Sequence, residues 1–218
     1  MILHIDTSTK ICSVAISLNS TLIDCIDSES DQFIHGEALT VMIELLMTRN
    51  NLQLSGLNAI SVANGPGSYT GLRIGLSTAK GIAIGLSIPI IALSSLASLI
   101  ELAVQNHPYE IIAAALDARR NEVFLRIQQQ GAVLLMDQPM VVNAQSFATY
   151  ERMVWIGDAN AKIKELLNNP MMEFNDALKA SARGQVRLAH ERFLANAFDE
   201  LDTLTPNYTK AFYMGPNA

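Results

Sequence analysis

The same local pattern occurs twice in this chain, about half its length apart. Ile2 to Ile5 is an apolar run that ends at Asp6, and Ile111 to Leu116 is a second apolar run that ends at Asp117. Each run is followed by a tight turn, a strand, another turn and a third strand. A unit repeated at this spacing predicts two lobes of related topology, and 218 residues are enough for each lobe to bury a core.

Helical and extended segments alternate along the rest of the chain. The predicted helices cover residues 36–49, 71–86, 93–105, 144–151, 159–167 and 177–197. The predicted strands cover residues 2–5, 13–18, 21–26, 59–63, 88–92, 111–116, 122–128 and 153–156, with one more after Gly131.

This alternation predicts an α/β fold with two actin-like lobes. Each lobe is a mixed sheet that opens with a β-meander and is flanked by helices, as in actin, the sugar kinases and the ribonuclease H-like lobes of heat-shock proteins. Residues 1–105 are predicted to form the N-terminal lobe and residues 106–218 the C-terminal lobe. The last helix packs either on its own lobe or back on the first, and the sequence leaves both arrangements open.

Composition limits the partners and the compartment. With 15 Lys and Arg against 21 Asp and Glu, the surface as a whole repels phosphate backbones, and Arg119, Arg120 and Arg126 form the densest basic patch. The charge-free stretch from Gly81 to Ile100 is interrupted by Pro89 and several serines, which favours helix, short strand and helix over a membrane span. The first residues lack the pattern of a signal peptide. We therefore expect a soluble, cytoplasmic protein with no membrane partner.

The segment from Gly65 to Gly71 is rich in glycine and lies between a predicted strand and a predicted helix. Its glycines either expose N–H groups to an anion or form a tight turn in which Ser68 or Thr70 caps the helix. It is not a Walker A loop, because no Lys-Ser or Lys-Thr pair closes it. Asp6 and Asp117 are open to two interpretations as well, since each either caps a turn or faces a nucleotide cleft.

Other catalytic and metal patterns are weak. Ser77 to Lys80 matches S-x-x-K, but it lies inside a predicted helix and lacks its companion motifs. The four histidines are isolated, and the residue four positions after His35 is Leu39, so no H-x-x-x-H pair exists. Cys12 and Cys25 lack C-x-x-C spacing and are predicted to be small core residues. The sequence therefore predicts neither a metal site nor a catalytic serine.

Small residues recur along the predicted helix that follows the glycine loop. Gly71, Gly75 and Ala79 repeat at a spacing of four, as do Gly81 and Gly85. Glycine inside a helix costs up to about 1 kcal/mol relative to alanine, so close packing has to offset it. The packing is either against a partner protein or inside the monomer. On the first interpretation, Gly75→Leu is expected to disrupt association and leave both lobes folded.

Four segments together resemble the bacterial TsaB (YeaZ) family. They are Ile5 to Ser8, Gly65 to Gly75 (GPGSYTGLRIG), Ala115 to Val123 (ALDARRNEV) and Pro206 to Tyr208. The resemblance implies the actin-like fold and a role in forming N6-threonylcarbamoyladenosine beside the anticodon of tRNAs that read codons beginning with A. In that system TsaD transfers the threonylcarbamoyl group. TsaB is a non-catalytic subunit that binds TsaD and the ATPase TsaE, forms homodimers, and reaches tRNA only through the complex.

The resemblance also implies two sets of site residues. The family's contact helices correspond to residues 35–49 and 70–86. The implied partner-binding residues are His35, Leu39, Met42, Ile43, Leu46, Tyr69, Leu72, Arg73, Leu76 and Lys80. The implied vestige of a nucleotide cleft consists of Asp6, Thr7, Ser8, Gly65, Gly67 and Asp117.

This sequence departs from the catalytic members of the fold at positions that matter for chemistry. Leu39 stands where TsaD has the second histidine of its metal motif, and Ser8 and Arg119 replace the glycine that follows each cleft aspartate. We therefore expect the isolated chain to bind no cofactor, with ATP or ADP held only in the complex with TsaD and TsaE. The alternative is an active ATP-dependent transferase or a metallopeptidase-like enzyme of the same fold.

Overall fold

The computed structural model describes residues 1–30, 35–108, 110–150, 152–167 and 169–209. The strands are β1 (Ile2–Asp6), β2 (Ile11–Leu18), β3 (Thr21–Glu29), β4 (Ala59–Ala63), β5 (Ile90–Leu93), β6 (Ile111–Asp117), β7 (Glu122–Gln129), β8 (Ala132–Val141), β9 (Met153–Ile156) and β10 (Met172–Asn175). The α-helices are α1 (His35–Arg49), α2 (Tyr69–Leu86), α3 (Ser95–Val104), α4 (Asn160–Leu167) and α5 (Val186–Leu194). Short 3-10 turns lie at Leu54–Gly56 and Ala182–Gln185.

Two five-stranded sheets share one plan. Their strand orders are β3-β2-β1-β4-β5 and β8-β7-β6-β9-β10. In each, the first three strands in sequence form an antiparallel meander, and the last two add in parallel beside the first strand. The α/β fold predicted from the repeated pattern, with a mixed sheet that opens with a β-meander in each lobe, is confirmed. β10 was not predicted.

Alternating side chains of β1 point to the two covered faces of the first sheet. Leu3 and Ile5 pack against the buried stripe of α1 and α2, which includes Leu46 and Leu76. On the opposite face, Ile2 packs against Ala189 of α5. The first sheet is therefore buried on both sides, and α1 and α2 lie together on one of them.

The sheet of each lobe packs against a helix from the other half of the chain. α3, which follows the first sheet in sequence, packs Leu99 and Ile100 against Ala114 and Ile156 of the second sheet. The 3-10 turn at Ala182–Gln185 and helix α5 follow the second sheet but contact strands of the first. A division between residues 105 and 106, which stays a prediction, thus separates the sheets but not the helices that cover them.

The helix predicted over 144–151 is wrong for the described residues up to 150, which form turns. The Asn143 side chain accepts hydrogen bonds from the backbone N–H groups of Gln145 and Ser146, so it replaces the start of a helix with an Asx turn. Phe147 has φ of 67° and its ring packs edge-on against Trp155. Glu151 lies outside the described residues.

The long helix predicted over 177–197 is also wrong. Residues 177–181 are not helical, and only Val186–Leu194 forms an α-helix. The segment is held instead by the first sheet, because Ser13 Oγ accepts from Ala182 N at 2.8 Å and Ser181 Oγ donates to Asp27 at 2.8 Å. These partners lie more than 150 residues away in sequence, so local patterns do not reveal them.

The charge-free stretch from Gly81 to Ile100 is divided among α2, β5 and α3, as predicted. Within the described part of the chain, none of the helices combines the length and apolar character needed to cross a membrane. Cys12 is buried as predicted, whereas Cys25 is only half-buried because β3 is an edge strand.

Candidate functional site

An open cavity of about 1230 Å³ lies between the two lobes. Its walls include the β1–β2 turn at Ser8, the glycine loop at Gly67, the β6–β7 hairpin at Arg119, and Tyr208 near the end of the described chain. The two aspartates that the sequence assigned to this cleft are placed differently. Asp117 lines the cavity and is half-exposed, whereas Asp6 is 1 % exposed.

Asp6 acts as the acceptor of a turn. Its Oδ1 accepts hydrogen bonds from the backbone N–H and the hydroxyl of Ser8, at 2.9 and 2.6 Å. Burial raises the pKa of Asp6 to about 6. The geometry matches the turn-capping interpretation of this residue. It leaves the carboxylate turned into the protein and not toward a ligand in the cavity.

Asp117 is neutralised by a lysine of its own chain. Lys162 forms an ion pair with Asp117 Oδ1 and also donates to the backbone oxygen of Glu122 at 3.2 Å. The same carboxylate accepts from the backbone N–H of Arg119 at 2.7 Å. Asp158, whose pKa is raised by burial, accepts from Asp117 N. An ammonium group thus already balances the charge at the end of β6.

The glycines of the loop make room for main-chain oxygens. A Cβ at Gly67 would overlap Ser8 O, and a Cβ at Gly65, where φ is 116°, would lie 2.6 Å from Asn207 O. Ser68 N donates to Ser8 O at 2.7 Å, and the Ser68 hydroxyl accepts from Gly71 N as the cap of α2. Carbonyl oxygens repel an anion, so the local geometry favours the turn-and-cap interpretation over anion binding.

His35 and Leu39 are both buried in the first lobe. His35 Nε2 donates to Thr9 O at 2.8 Å, and burial lowers the pKa of its imidazole. Leu39 is 1 % exposed and belongs to the core beneath α1. Among the residues that the structure describes, no group of three or more His, Cys, Asp or Glu side chains is arranged to hold a metal ion.

Most of the predicted partner-binding side chains face the protein's own sheet. The buried ones are His35, Leu39, Met42, Ile43, Leu46, Leu72 and Leu76. Tyr69 and Lys80 are half-buried, and Arg73 is exposed. A helix packed on a sheet turns its main apolar stripe inward, so the stripe that the sequence assigned to a partner is the core face of the two helices.

Several apolar or small residues of the same two helices are exposed and do not belong to the core. Val41 and Leu45 on α1 are 60 and 51 % exposed, and Ile84 on α2 is 64 % exposed. Gly81 and Gly85 are exposed, and a Cβ on either would meet nothing within 4 Å. We call these five residues the outer face. Sequence reasoning missed Val41 and Leu45, although their spacing of four on the polar side of α1 was a usable signal.

The two groups of glycine on α2 have different surroundings. Cβ atoms at Gly71 and Gly75 would overlap the backbone oxygen and the hydroxyl of Thr7, so these glycines serve packing inside the monomer. The expectation that Gly75→Leu leaves the lobes folded is therefore wrong, because a leucine at this position has no room. Gly81 and Gly85 belong to the outer face.

The predicted basic patch is divided between two places. Arg126 pairs with Asp137 at 2.9 Å in a largely buried contact, and Ser94, which caps α3, donates to the same carboxylate. Arg119 and Arg120 line the interlobe cavity. The three arginines therefore do not form one surface.

Comparison with known proteins places this geometry in a family. The family model described as TsaD, tRNA N6-adenosine threonylcarbamoyltransferase, matches residues 32–215. The chain belongs to the TsaD family.

Within the TsaD family, the resemblance to TsaB (YeaZ) proteins is confirmed. The tRNA threonylcarbamoyladenosine biosynthesis protein TsaB of Haemophilus influenzae is 36 % identical over 123 residues, which cover 56 % of this chain and 51 % of that protein. Its namesake in Escherichia coli is 34 % identical over 123 residues, covering 56 % and 52 %. The chain spans about half the length of the curated relatives it matches.

Solved structures extend the similarity over most of the chain. YeaZ from Pseudomonas aeruginosa superposes with a TM-score of 0.81 at 27 % identity, covering 95 % of this chain and 98 % of that one. Component A of (R)-2-hydroxyglutaryl-CoA dehydratase from Acidaminococcus fermentans has a TM-score of 0.52 at 9 % identity, covering 90 % and 98 %. This second likeness concerns the fold alone. The actin-like, two-lobed fold predicted from the sequence is confirmed.

Proposed function

We propose that this chain works in forming N6-threonylcarbamoyladenosine in tRNA, in the cytoplasm, as a subunit that performs no chemistry of its own. It binds TsaD and TsaE, associates with itself when alone, and reaches tRNA only through the complex. Membership of the TsaD family and the names of the TsaB relatives support the pathway. Because those relatives are matched over about half their length, their role is carried to this chain as a proposal.

The outer face is the observation that carries this proposal. Glycine in the interior of a helix, as at position 81, destabilises it by about 1 kcal/mol relative to alanine, and Gly85 adds a second glycine in the last turn of α2. Gly71 and Gly75 are needed for the close approach of Thr7, but Cβ atoms at Gly81 or Gly85 would meet no described atom within 4 Å apart from the adjacent residues and backbone of α2 itself. The close approach of a partner helix would account for them, with Ile84 and Val41 supplying apolar contact.

The charges around the outer face are separated between the two helices. Glu37 and Glu44 lie on the exposed side of α1, where Arg49 is paired with Asp24, whereas Arg73 and Lys80 lie on α2. A second copy related by a two-fold axis that lays α1 on the partner's α2 would place opposite charges together. A homologous subunit that also carries acidic residues on the first of these helices and basic residues on the second would pair with this surface equally well. This pattern supports self-association and binding to a paralogue by one surface.

The cleft supports a subunit without catalysis of its own. Asp6 is turned into the protein, Asp117 is neutralised by Lys162, and Leu39 contributes only hydrocarbon to the core. A transferase or a metallopeptidase-like enzyme of this fold would need these positions to hold a nucleotide or a metal ion. We accordingly propose that the isolated chain binds no cofactor, and that ATP or ADP enters only with TsaD and TsaE.

Light scattering of the purified chain, alone and mixed with TsaD from the same organism, tests the proposal. We expect a dimer that gives way to a mixed complex. Ile84→Glu should abolish both associations, because it replaces the most exposed apolar side chain of the outer face with a charge. The control is Leu194→Glu, since Leu194 is 68 % exposed at the end of α5 on the other side of the sheet. A monomer indifferent to TsaD would overturn the proposal.

A further inference from the structure

The last described residues form a strap along α2. We use this name for residues 201–209, which contain no regular secondary structure. Leu201 and Leu204 pack against the core of the first lobe, and Lys80 of α2 donates to Leu204 O at 2.9 Å. Farther along, Asn207 N donates to Asn64 O at 2.7 Å, beside the start of α2. The strap therefore runs antiparallel to α2 and ends at its first turn.

The strap holds one arginine of α2 in place. Arg73 Nε donates to the Tyr208 hydroxyl at 2.8 Å, and the guanidinium carbon lies 4.0 Å from the centroid of the Tyr69 ring. The rings of Tyr69 and Tyr208 are stacked, with centroids 4.7 Å apart. Three side chains from two distant parts of the sequence thus form one aromatic and guanidinium stack.

Arg73 belongs to the exposed stripe of α2 that also contains Gly81 and Gly85 of the outer face. Ser77, Gly81 and Gly85 follow it at successive steps of four, and all four positions are exposed. Within the part of the chain that the structure describes, no carboxylate forms an ion pair with Arg73. A long, exposed side chain normally loses rotamer freedom when it enters an interface, and this loss weakens binding. Here the stack has already ordered the guanidinium.

We propose that Arg73 is a specificity-determining contact that pairs with a carboxylate of the partner protein, and that Tyr208 is its positioning residue. This inference rests on the proposed function, because it names the chemistry that the partner must present to α2. An ordered, planar guanidinium favours a carboxylate, which it can bind through two parallel hydrogen bonds. The strap thereby contributes to recognition without touching the partner.

Isothermal titration of the full chain with TsaD from the same organism, at low and at high salt, tests this assignment. Arg73→Gln is expected to raise Kd about tenfold at low salt and to flatten the salt dependence, because a screened ion pair is lost. Tyr208→Phe keeps the ring and removes the hydroxyl, so we expect a rise in Kd of about threefold. Arg152→Gln is the charge-matched control, since Arg152 is exposed on the second lobe.

The double variant separates positioning from direct contact. If Tyr208 acts through Arg73, adding Tyr208→Phe to Arg73→Gln causes no further loss. An additional loss equal to that of Tyr208→Phe alone would overturn the positioning role. If Arg73→Gln binds TsaD as tightly as wild type does, with the same salt dependence, the proposed contact of Arg73 is overturned. A wild-type chain that does not bind TsaD would instead overturn the proposed function on which both rest.

Discussion

Gly75 of α2 lies against Thr7 at the end of β1 so closely that a Cβ at position 75 would overlap the Thr7 hydroxyl. That hydroxyl donates to Gly71 O at 2.8 Å, which fixes the first turns of the helix over the sheet. Six residues farther along the same helix, Gly81 faces open space. One helix therefore carries glycines that the fold requires and glycines that the monomer does not use.

This contrast predicts opposite effects of the same substitution. Gly75→Ala is expected to lower the free energy of unfolding by about 1–3 kcal/mol, because it forces atoms into a filled space. Gly81→Ala is expected to raise it by up to about 1 kcal/mol, through helix propensity alone. Urea denaturation of both variants measures the two effects. Shifts of equal sign would contradict the assignment of the two glycines.

A buried hydrogen-bond network connects the 3-10 turn at Ala182–Gln185 to the first sheet, and its loss should lower the free energy of unfolding. Gln185 donates to Ile5 O at 2.8 Å and accepts from the Ser61 hydroxyl at 2.6 Å. Gln185→Ala removes one buried hydrogen bond from Ile5 O and one from the Ser61 hydroxyl, which keeps its contact with His4, so the free energy of unfolding should fall by about 3 kcal/mol. Gln138→Ala on the exposed side of β8 is the control, with an expected change within about 0.5 kcal/mol. Equal losses for the two variants would argue against the network.

Because the His4 side chain is buried, we expect the free energy of unfolding to depend on pH. It is buried between Ser61 and Ser17, and burial lowers its pKa to about 3. Between that value and about 6.5, the unfolded chain binds a proton that the native state excludes. The contribution of His4 to the free energy of unfolding is therefore fully present above pH 6.5 and is lost as the pH falls toward 3.

The measurement compares the free energy of unfolding at pH 7 and pH 5 in wild type and His4→Gln. From pH 7 to pH 5, the free energy of unfolding should fall by about 2 kcal/mol more in wild type than in the variant. A proton that only the unfolded chain binds changes this free energy by about 1.4 kcal/mol per pH unit. Asp6 acts in the opposite direction below pH 6, because its pKa is raised by burial, but it is common to both proteins. His107→Gln serves as the control and should keep the wild-type difference. An unchanged difference in His4→Gln would contradict the prediction.

The cleft predicts the response of the isolated chain to nucleotide. Because Lys162 already pairs with Asp117, ATP with Mg²⁺ is expected to leave the thermal midpoint unchanged at millimolar concentration. Adding a chelator should also have no effect. Differential scanning calorimetry measures both. A rise of several degrees with ATP would mean binding far tighter than millimolar, and the cleft would then be a working nucleotide site.

Sequence patterns were sufficient where the contacts are local or repeat along the chain. The alternation in β2 and the repeated turns predicted both meanders, and Ser68, one of the two caps considered for α2, is the cap that the structure shows. Patterns failed where a segment is shaped by distant partners. Ser13 and Asp27 hold residues 181–183 out of an α-helix, and nothing within that segment reveals them.

The candidate site shows the same limit. Helical periodicity finds the most apolar stripe of α1, and this stripe includes Leu39 and Leu46, which are buried against the sheet. The stripe that we propose for a partner is the weaker one on the opposite side, where Val41 and Leu45 interrupt polar positions. The contact between Arg73 and Tyr208 joins residues 135 positions apart, so only the fold brings it to view.

The most direct test of the account is the amount of N6-threonylcarbamoyladenosine formed on tRNA by TsaD, TsaE and the enzyme that supplies the threonylcarbamoyl adenylate, with and without this chain. Mass spectrometry of digested tRNA gives the yield. The account predicts that product requires the chain, that Asp117→Asn supports as much as wild type, and that Ile84→Glu supports almost none. Loss of product with Asp117→Asn, together with full activity of Ile84→Glu, would contradict it and make the cleft the working site.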